Sequence, residues 1–395
     1  MNAILSHALP AVGVACTLPG SLLLLALSLA ALWPRRQPQQ RAAAWPIAIV
    51  VPAHDESEGI ARTLVNLLAA ARADGDAQVV VIADNCSDDT AQIALQAGAC
   101  VIERTDPQRR GKGYALDHAF RTLLAGDAQY FVVVDADSAL DAGFLAAMRR
   151  GFGGGAEALQ ARYTVLNAGA SVRTRLMEIA LTAFNVVRPR GRAALGQSCG
   201  LFGNGFALGR KLLQRLPYSA GSVVEDLEYH LLLTRHGVRV RFVDDATVRG
   251  EMPAGGAGAS TQRTRWEGGR VRMMGEHLPR LAGELLRGGG HALEPALELL
   301  LLPLSWHLSL LALMLLLPGW SRLYGLAAMA VVALHVAVAL IVGRLGRRHL
   351  LALLSVPFYM LWKICLIPVT LLAARRSAAW VRTTRQERQN GEMKP

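Results

Sequence analysis

A short apolar segment that ends in two carboxylates constrains this chain more than any other feature. Residues 130–138 read YFVVVDADS, and the residues from Tyr130 to Val134 are aromatic or β-branched. That pattern is typical of a strand buried on both faces. Because open α/β sheets bind ligands outside the carboxyl ends of their strands, we expect Asp135 and Asp137 to point into a cleft. Two hard oxygen ligands suit Mg²⁺ or Mn²⁺, which can hold a diphosphate.

The segments before this strand alternate between strand and helix patterns. In chain order, strand patterns occupy residues 46–52, 78–83 and 100–103, and helix patterns occupy 60–72, 90–99 and the stretch from 111. Such alternation predicts βαβ units and a mostly parallel sheet. Glu56 and Asp84 follow the first two strands as Asp135 follows the fourth. We therefore expect these acids to line one rim of the sheet.

The patterns in residues 151–260 are less regular. They predict a strand at 157–166, a helix at 173–187, a helix at 227–236 and a strand at 238–243. The glycine-rich stretch 196–209 is predicted to be a loop that approaches a ligand or another backbone closely.

Composition indicates membrane segments beside a globular part. Of 395 residues, 52% are hydrophobic and only 18% charged, which is unusual for a purely soluble protein. Lys and Arg exceed Asp and Glu by 42 − 30 = 12, as expected for basic flanks on the cytoplasmic side of membrane helices. The lack of a recognition motif disfavours nucleic-acid binding. The five cysteines lack C-x-x-C spacing and are interpreted as reduced and structural.

Four segments are candidates for the membrane. Residues 9–33 are uncharged and long enough to span a bilayer, and arginines at 35, 36 and 41 place the following residues in the cytoplasm. Residues 293–317 and 325–342 are further spans. Residues 350–373 contain Lys363 and two prolines and precede a basic tail. A re-entrant or interfacial segment is favoured there over a full crossing, which would move the tail outside.

Four polar motifs follow one another along the chain. They are Asp84, Asp135-x-Asp137, Glu225-Asp226 and Gln262-x-x-Arg265-Trp266. A nucleotide sugar needs acceptors for its base and ribose, a metal for its diphosphate and a base for the incoming hydroxyl, and this set offers all of them. The sequence resembles the family-2 glycosyltransferases of the processive, membrane-embedded type, over about residues 46–275 and the flanking spans. Cellulose, hyaluronan, chitin and poly-N-acetylglucosamine synthases and many bacterial exopolysaccharide transferases belong there.

The resemblance implies a Rossmann-like GT-A domain, of α/β class, and a set of donor contacts. Glu56, which ends the motif P-A-H-D-E where the family usually has P-x-x-N-E, and Asp84 correspond to ligands of the base and ribose. Lys112 corresponds to a nucleotide or phosphate contact. Asp135 and Asp137 correspond to the diphosphate–metal pair, with Asp137 favoured as the direct ligand of Mg²⁺ or Mn²⁺.

The resemblance also implies the groups that act on the acceptor. Asp226 corresponds to the general base, beside Glu225. Gln262, Arg265 and Trp266 correspond to the motif that holds the acceptor end and the leaving diphosphate.

Simpler interpretations exist for several of these residues. Glu225 could form a capping box with Ser222, three residues earlier. Lys112 could be a solvated surface lysine, Arg265 could pair with lipid headgroups, and Trp266 could anchor the domain at the membrane.

The resulting hypothesis is inverting transfer of a sugar from a nucleotide-diphosphate donor, with UDP favoured, to a polysaccharide or lipid-linked acceptor. It places the chain in exopolysaccharide or cell-envelope glycan synthesis, multi-pass in a bacterial inner membrane with a cytosolic catalytic domain. Export or synthase subunits are candidate partners. The alternatives are a single addition to a polyprenyl or other lipid, a nucleotidyltransferase, and a non-catalytic nucleotide-sugar-binding subunit. The expected divisions are an N-terminal span and flank 1–41, a catalytic domain 42–275, a linker 276–291, C-terminal membrane helices 292–374 and a basic tail 375–395.

Overall fold

An eight-stranded sheet organises the middle of the chain. The computed structural model describes residues 2–33, 42, 44–253, 256–317 and 319–375. The predicted basic flank at 35–41 and the tail beyond 375 lie outside the described residues. The strands are β1 Ile47–Ala53, β2 Ala77–Asp84, β3 Cys100–Arg104, β4 Tyr130–Val133, β5 Ser138–Leu140, β6 Ala158–Val165, β7 Phe206–Gly209 and β8 Val240–Gly250. Their order across the sheet is β3-β2-β1-β4-β7-β6-β8-β5.

The first half of the sheet is parallel and buried on both faces. β3, β2, β1 and β4 pair in parallel, as the alternating pattern predicted. Along β1, Ile47, Ile49 and Val51 join the core on one face, whereas Ala48 and Val50 join the core on the other. Side chains of a strand alternate between faces, so a continuous apolar run fits a strand between two helical layers. The prediction of a Rossmann-like α/β sheet is confirmed.

The second half of the sheet departs from the prediction. The stretch 196–209, predicted as a loop, contains β7, which lies antiparallel between β4 and β6. β7 is four residues long, too short for its alternation to stand out beside the neighbouring glycines. β6 runs parallel to β8, and β5, directly after Asp137, pairs antiparallel with β8.

Helices cover both faces of the sheet. One core includes side chains of α2 Ile60–Asp74 and α5 Phe144–Gly153, and the other includes side chains of α4 Lys112–Leu123, α8 Arg210–Arg215 and α9 Glu225–Arg235. The remaining helices of this part are α3 Thr90–Gln96, α6 Val172–Thr182 and α7 Arg188–Ala194, with a π-helical turn at Ala183–Val187 between the last two. The predicted helix 173–187 therefore continues further than its pattern showed.

Long apolar helices flank this sheet. They are α1 Asn2–Ala31, α11 Leu293–Leu300, α12 Leu304–Leu316, α13 Trp320–Val342, α14 Arg347–Ala352 and α15 Val356–Arg375. The helix α10 Gly256–Leu286 joins them to the sheet. It runs without a break across position 275, where the sequence placed a boundary. The domain limits stay a prediction.

Three described helical segments are long and apolar enough to cross a membrane: Ala8–Ala31, Trp320–Val342 and Arg347–Thr370. The predicted span 293–317 is not one straight helix, because α11 and α12 meet at 68°. Pro303 lies at this break and lacks the amide hydrogen that a continuous helix requires. Whether residues 350–373 cross the membrane or lie at its surface stays a prediction.

Helix α1 is fixed to the catalytic part as well as to the other apolar helices. A Cβ on Gly191, in α7, would lie 2.3 Å from the carbonyl oxygen of Leu27, so only glycine permits this approach. Ser28 Oγ lies 2.8 Å from His335 Nδ1 of α13. This hydrogen bond links α1 to α13 between two otherwise apolar helix faces.

One buried ion pair is expected to contribute strongly to stability. Arg149 Nε donates to Asp74 Oδ1 at 2.8 Å, and its Nη1 donates to Trp45 O at 2.7 Å. The adjacent Arg150 forms an exposed pair with Asp245. We predict that Arg149→Gln lowers the free energy of unfolding by about 3–5 kcal/mol, since Asp74 stays buried without its partner. Arg150→Gln is the control and should cost less than about 1 kcal/mol. Unfolding of the full chain in detergent measures both, and equal losses would contradict the prediction.

Candidate active site

The predicted site residues meet in one cavity. It has a volume of about 1090 Å³ and lies at the carboxyl ends of β1, β2 and β4. Its lining includes every residue that the sequence singled out: Glu56, Asp84, Lys112, Asp135, Asp137, Glu225, Asp226, Gln262, Arg265 and Trp266. Acids that are far apart along the chain therefore converge, as expected of strand ends in an α/β sheet.

A buried asparagine holds the turn that carries the two aspartates. The backbone N–H of Asp135 donates to Asn204 Oδ1 at 3.2 Å, and Asn204 Nδ2 donates to Ser138 Oγ at 2.8 Å. Asn204 thus binds both ends of the turn around Asp137. The sequence drew attention to this glycine-rich stretch but not to the role of its asparagine. The available signal was an amide between two glycines in a stretch without charge.

Lys112 connects the aspartates to that loop. Its Nζ donates to Asp135 Oδ1 and to the carbonyl oxygen of Gly203, the latter at 2.6 Å. Gly203 has φ +73°, and a Cβ there would lie 3.2 Å from Asp226 Oδ2. Burial alone would lower the pKa of Lys112, but the charges of Asp135 and the acids of α9 raise it. The interpretation of Lys112 as a solvated surface lysine is wrong.

Glu225 and Asp226 begin helix α9; Glu225 is buried and Asp226 is partly buried. Burial raises the pKa of both carboxyl groups, and for Glu225, with the charge of Asp226 as the next cause, the pKa reaches about 7. Asp226 Oδ1 accepts the N–H of Leu227 at 2.8 Å. The alternative capping box is wrong, because the N–H of Ser222 donates to Glu228 Oε2 instead. Two adjacent acids with raised pKa values are typical of a site that transfers protons.

Asp84 lies where the cavity approaches β3. Its Oδ1 accepts hydrogen bonds from Arg104 Nη1 and from Asn85 Nδ2. Arg104 ends β3 and was missed by the sequence analysis, because nothing local shows which acid it meets. The loop after β1 is fixed beside it, since His54 Nδ1 lies 2.6 Å from Asp84 O. Asp55 has φ +51°, a conformation that both Asp and the usual Asn tolerate.

The last motif lies on helix α10. Gln262, Arg265 and Trp266 all line the cavity. Trp266 packs against the core on the α2 and α5 side of the sheet. This contact gives Trp266 a place in the catalytic part, in contrast to the membrane-anchor interpretation.

A second acidic group lies outside the predicted metal pair. Among the described residues, Asp55, Cys86 and Asp88 form a group with close potential ligand atoms. Asp55 Oδ1 accepts the N–H of Ser87 at 2.6 Å, and the oxygens of Asp88 accept neighbouring N–H groups. These hydrogen bonds fix the loop and account for the group. Asp135 and Asp137, in contrast, both line the cavity.

The family is shown by comparison with known proteins. The family described as Glycosyltransferase like family 2 matches residues 44–269, more than half of the chain. The chain belongs to this family. The prediction of a glycosyltransferase is confirmed. The chain is 24% identical over 232 residues to a Bacillus subtilis protein named Probable glycosyltransferase YdaM. The match covers 56% of this chain and 54% of that protein.

Other relatives support the same family over shorter stretches. Glucomannan 4-beta-mannosyltransferase 7 of Arabidopsis thaliana is 27% identical over 134 residues, which cover 33% of this glycosyltransferase and 23% of that protein. This glycosyltransferase therefore spans about half of the Bacillus relative and about a quarter of the Arabidopsis one.

A solved structure has the same fold over almost the whole chain. A mannosyltransferase from Pyrobaculum calidifontis, in complex with GDP-Man and Mn²⁺, is similar with a TM-score of 0.57 and 18% identity. The match covers 93% of this glycosyltransferase and 97% of that protein. The predicted GT-A fold, with apolar helices at both ends, is confirmed.

The acid pair of α9 predicts a pH-dependent stability. Glu225 has an ordinary pKa of 4.5 and a folded-state pKa of about 7. The folded state therefore holds a proton that the unfolded state loses, and stability falls as pH rises from about 4.5 to about 7. Glu225→Gln should remove this loss and stabilise the chain above pH 7, on the order of 1–3 kcal/mol.

Melting of the full chain in detergent with a chelator, at pH 5 and pH 8, measures this effect. The gain of Glu225→Gln over the parent should be larger at pH 8. Glu157→Gln, at an exposed position paired with Arg215, is the control and should follow the parent. A gain that is the same at both pH values would contradict the prediction.

Proposed function

We propose that this glycosyltransferase moves a sugar from a nucleotide-diphosphate donor to an acceptor hydroxyl with inversion at the anomeric carbon. The supporting observation is the convergence of Asp226, the Asp135–Asp137 turn and the Gln262–Trp266 motif in one cavity. UDP is favoured as the nucleotide. The Pyrobaculum neighbour binds GDP-Man, so a GDP-linked donor is the second candidate.

Asp226 acts as the general base. Its carboxylate takes the proton of the acceptor hydroxyl, while that oxygen forms a bond to the anomeric carbon from the face opposite the diphosphate. The bond between the anomeric carbon and the diphosphate oxygen breaks, and the electron pair leaves with the nucleoside diphosphate. Burial raises the pKa of Asp226, which makes it a stronger base than a solvated aspartate. One displacement converts an α-linked donor into a β-linked product.

Cationic side chains hold the leaving group. Lys112 and Arg265 both line the cavity and supply positive charge where negative charge develops on the diphosphate. Glu56 and Asp84, at the end of the cavity near β2 and β3, are the proposed acceptors for the base and ribose hydroxyls.

The two aspartates of the β4 turn fit a divalent cation. Both carboxylates line the cavity, and carboxylate oxygens are the ligands that Mg²⁺ and Mn²⁺ prefer. When bound there, Mg²⁺ or Mn²⁺ would neutralise the donor diphosphate. Lys112 contacts Asp135 from the side of α4, and Asp137 is the favoured direct ligand.

The acceptor is a polysaccharide or a lipid-linked glycan at the cytoplasmic face of a bacterial inner membrane. The apolar helices α1 and α13 and the segment 347–370 support a multi-pass location. The excess of Lys and Arg supports a cytosolic catalytic domain. Release of a nucleoside diphosphate, rather than pyrophosphate, would separate this function from a nucleotidyltransferase.

Replacing the base should stop transfer without affecting donor binding. We predict that Asp226→Asn lowers kcat by at least about 100-fold, because general-base catalysis contributes about 10²–10⁴-fold. Donor affinity, measured by calorimetry on the full chain, should change less than threefold. Asp245→Asn is the control, since Asp245 pairs with Arg150 on the surface. Near-parental turnover of Asp226→Asn, with Glu225→Gln inactive, would assign the base to Glu225 instead.

Replacing the favoured metal ligand should separate metal dependence from folding. We predict that Asp137→Ala loses the increase in donor affinity that Mn²⁺ or Mg²⁺ gives the parent. The same titration in chelator should give parent and variant similar weak affinities, because no cation is then held. A variant whose Mn²⁺ titration matches the parent would remove Asp137 from the metal site.

A further inference from the structure

We propose that the part of the cavity next to the apolar helices binds the phosphate or diphosphate headgroup of a membrane lipid that carries the acceptor. The inference rests on the proposed function and names the acceptor class for the same cavity. Its basis is a group of four cations, called here the basic wall, formed by Arg188, Arg263, Arg270 and Lys363, which all line the cavity. Arg188 and Lys363 are buried, and Arg263 and Arg270 are partly buried.

The first half of the basic wall surrounds Glu267, one residue after the last catalytic motif. Lys363, on α15, is only 5% exposed and contacts Glu267 Oε1. Its Nζ also donates to Ser305 Oγ at 2.7 Å. Arg263 lies 3.9 Å from the same Glu267 carboxylate. One buried and one partly buried cation thus share one acid, which also accepts the indole N–H of Trp306.

The second half surrounds Glu298, on α11. Its carboxylate pairs with Arg188 at 3.4 Å, with Arg192 at 2.8 Å and with Arg270 at 3.3 Å. Arg188 is 7% exposed, and its Nε has no hydrogen-bond partner among the described residues. A buried donor without a partner is costly unless a ligand satisfies it.

These two groups carry an excess of positive charge. The four cations of the basic wall and Arg192, which pairs with Glu298 but is not part of the wall, face Glu267, Glu298 and Glu294. Glu294 lies 4.0 Å from Arg192, so these five cations and three acids sum to 5 − 3 = +2. Buried charge that is not compensated destabilises a protein strongly. An anionic ligand would supply the missing charge, and arginine suits phosphate oxygens because its guanidinium binds them in pairs.

The break between α11 and α12 faces the same place. Leu301, at the end of α11, Pro303, just before α12, and Ser305, in the first turn of α12, all line the cavity. α12 is 13 residues long. A helix N-terminus carries partial positive charge. Interrupted membrane helices commonly direct such ends at anionic substrate groups. The N-terminus of α12 is therefore a second feature suited to phosphate, in addition to the unsatisfied Arg188 Nε.

The rest of this part of the cavity suits a hydrocarbon chain. It is lined by apolar side chains from four different helices or their junctions, namely Leu24, Leu308, Val332, Val336, Val356 and Met360. Among the described lining residues of α11–α15, the ring side chains are those of Tyr359, His307 and His335. A glycan path would be expected to offer more stacking platforms and hydroxyl partners. Apolar walls with basic groups at one end match an isoprenoid or acyl phosphate.

Helix α10 relates the headgroup site to the site of transfer. This helix carries Arg263 and Arg270 of the basic wall and the wall's counter-ion Glu267. Gln262 and Trp266, of the last motif, lie next to Arg263 and Glu267 in the sequence of the same helix. A phosphate on the basic wall would therefore hold the linked acceptor hydroxyl beside Asp226. The reaction is the displacement already described, with the lipid phosphate unchanged and the proton taken by Asp226.

A direct binding experiment tests the inference. The full chain is immobilised and exposed to phosphatidylcholine nanodiscs that contain a labelled long-chain polyprenyl phosphate, the corresponding polyprenol, or labelled phosphatidylglycerol. We expect retention of the polyprenyl phosphate at least about tenfold above the polyprenol, because charge-assisted contacts to the phosphate are lost with the alcohol. Phosphatidylglycerol should be retained less than the polyprenyl phosphate. Equal retention of phosphate and alcohol would overturn the inference.

Two substitutions locate the site. Arg188→Gln leaves Glu298 with two arginines, and Lys363→Gln leaves Glu267 with Arg263, so neither variant strands a buried acid. Each should reduce retention by about tenfold. If Lys363→Gln folds poorly, Lys363→Arg is the second variant, and it should retain the polyprenyl phosphate as the parent does. Arg215→Gln, exposed and outside the cavity, is the matched control. Retention by both Gln variants at the parent level would overturn the inference.

Donor hydrolysis distinguishes this inference from the proposed function. Release of nucleoside diphosphate from a panel of nucleotide sugars, with water as acceptor, requires the donor site but no lipid. Hydrolysis without selective retention of the polyprenyl phosphate overturns the lipid site alone. Selective retention without hydrolysis of any donor overturns the proposed function and leaves the headgroup site standing.

Discussion

The fold brings several carboxylates into one buried cavity, and their mutual repulsion is the constraint on which the site depends. Lys112 is the element that makes this arrangement tolerable, because its Nζ contacts Asp135 while its charge also acts on Glu225 and Asp226. A Cβ on the next residue, Gly113, would lie 2.0 Å from Ala220 O, so α4 packs directly against the loop that leads to α9. The lysine is therefore placed by backbone packing. Burial, the largest cause, raises the pKa values of both α9 acids even though the charge of Lys112 acts to lower them. A donor with its cation would therefore bring positive charge to a cavity lined by several acids.

Helix α10 is the structural link between the chemistry and the apolar helices. It carries the Gln262–Trp266 motif, contacts α11 and α15, and holds Glu267, which receives Lys363 and the indole N–H of Trp306 at 3.2 Å. A catalytic domain joined only by a flexible linker would allow the acceptor and donor to vary in distance. Here the same turns of one helix line the cavity and contact the apolar helices α11 and α15, so these helices form part of the wall of the site.

Sequence patterns predicted the parts of this structure that are local. The β4 strand and its two aspartates could be found because an apolar run followed by acids has one favourable place in an α/β sheet, and the first three strands followed from the same alternation. Strand β7 and the role of Asn204 were missed, since four residues carry too little periodicity and the partner, Asp135, lies 69 positions away. The break at Pro303 was missed because hydropathy averages over a helix and a bend alike. Arg104, Arg188 and Lys363 required the fold, since each is defined by an acid distant in the chain.

The charges that line the cavity are unevenly distributed. Part of the chain's excess of 12 basic residues lies around Glu267 and Glu298, next to the apolar helices, whereas other acids collect at the strand ends. The cavity is therefore polarised, acidic where a cation and a nucleotide would bind and basic where the apolar helices begin. A neutral glycan would gain little from such polarity, whereas an amphiphile with an anionic headgroup would be oriented by it, with its chain along the apolar walls and its acceptor hydroxyl toward Asp226.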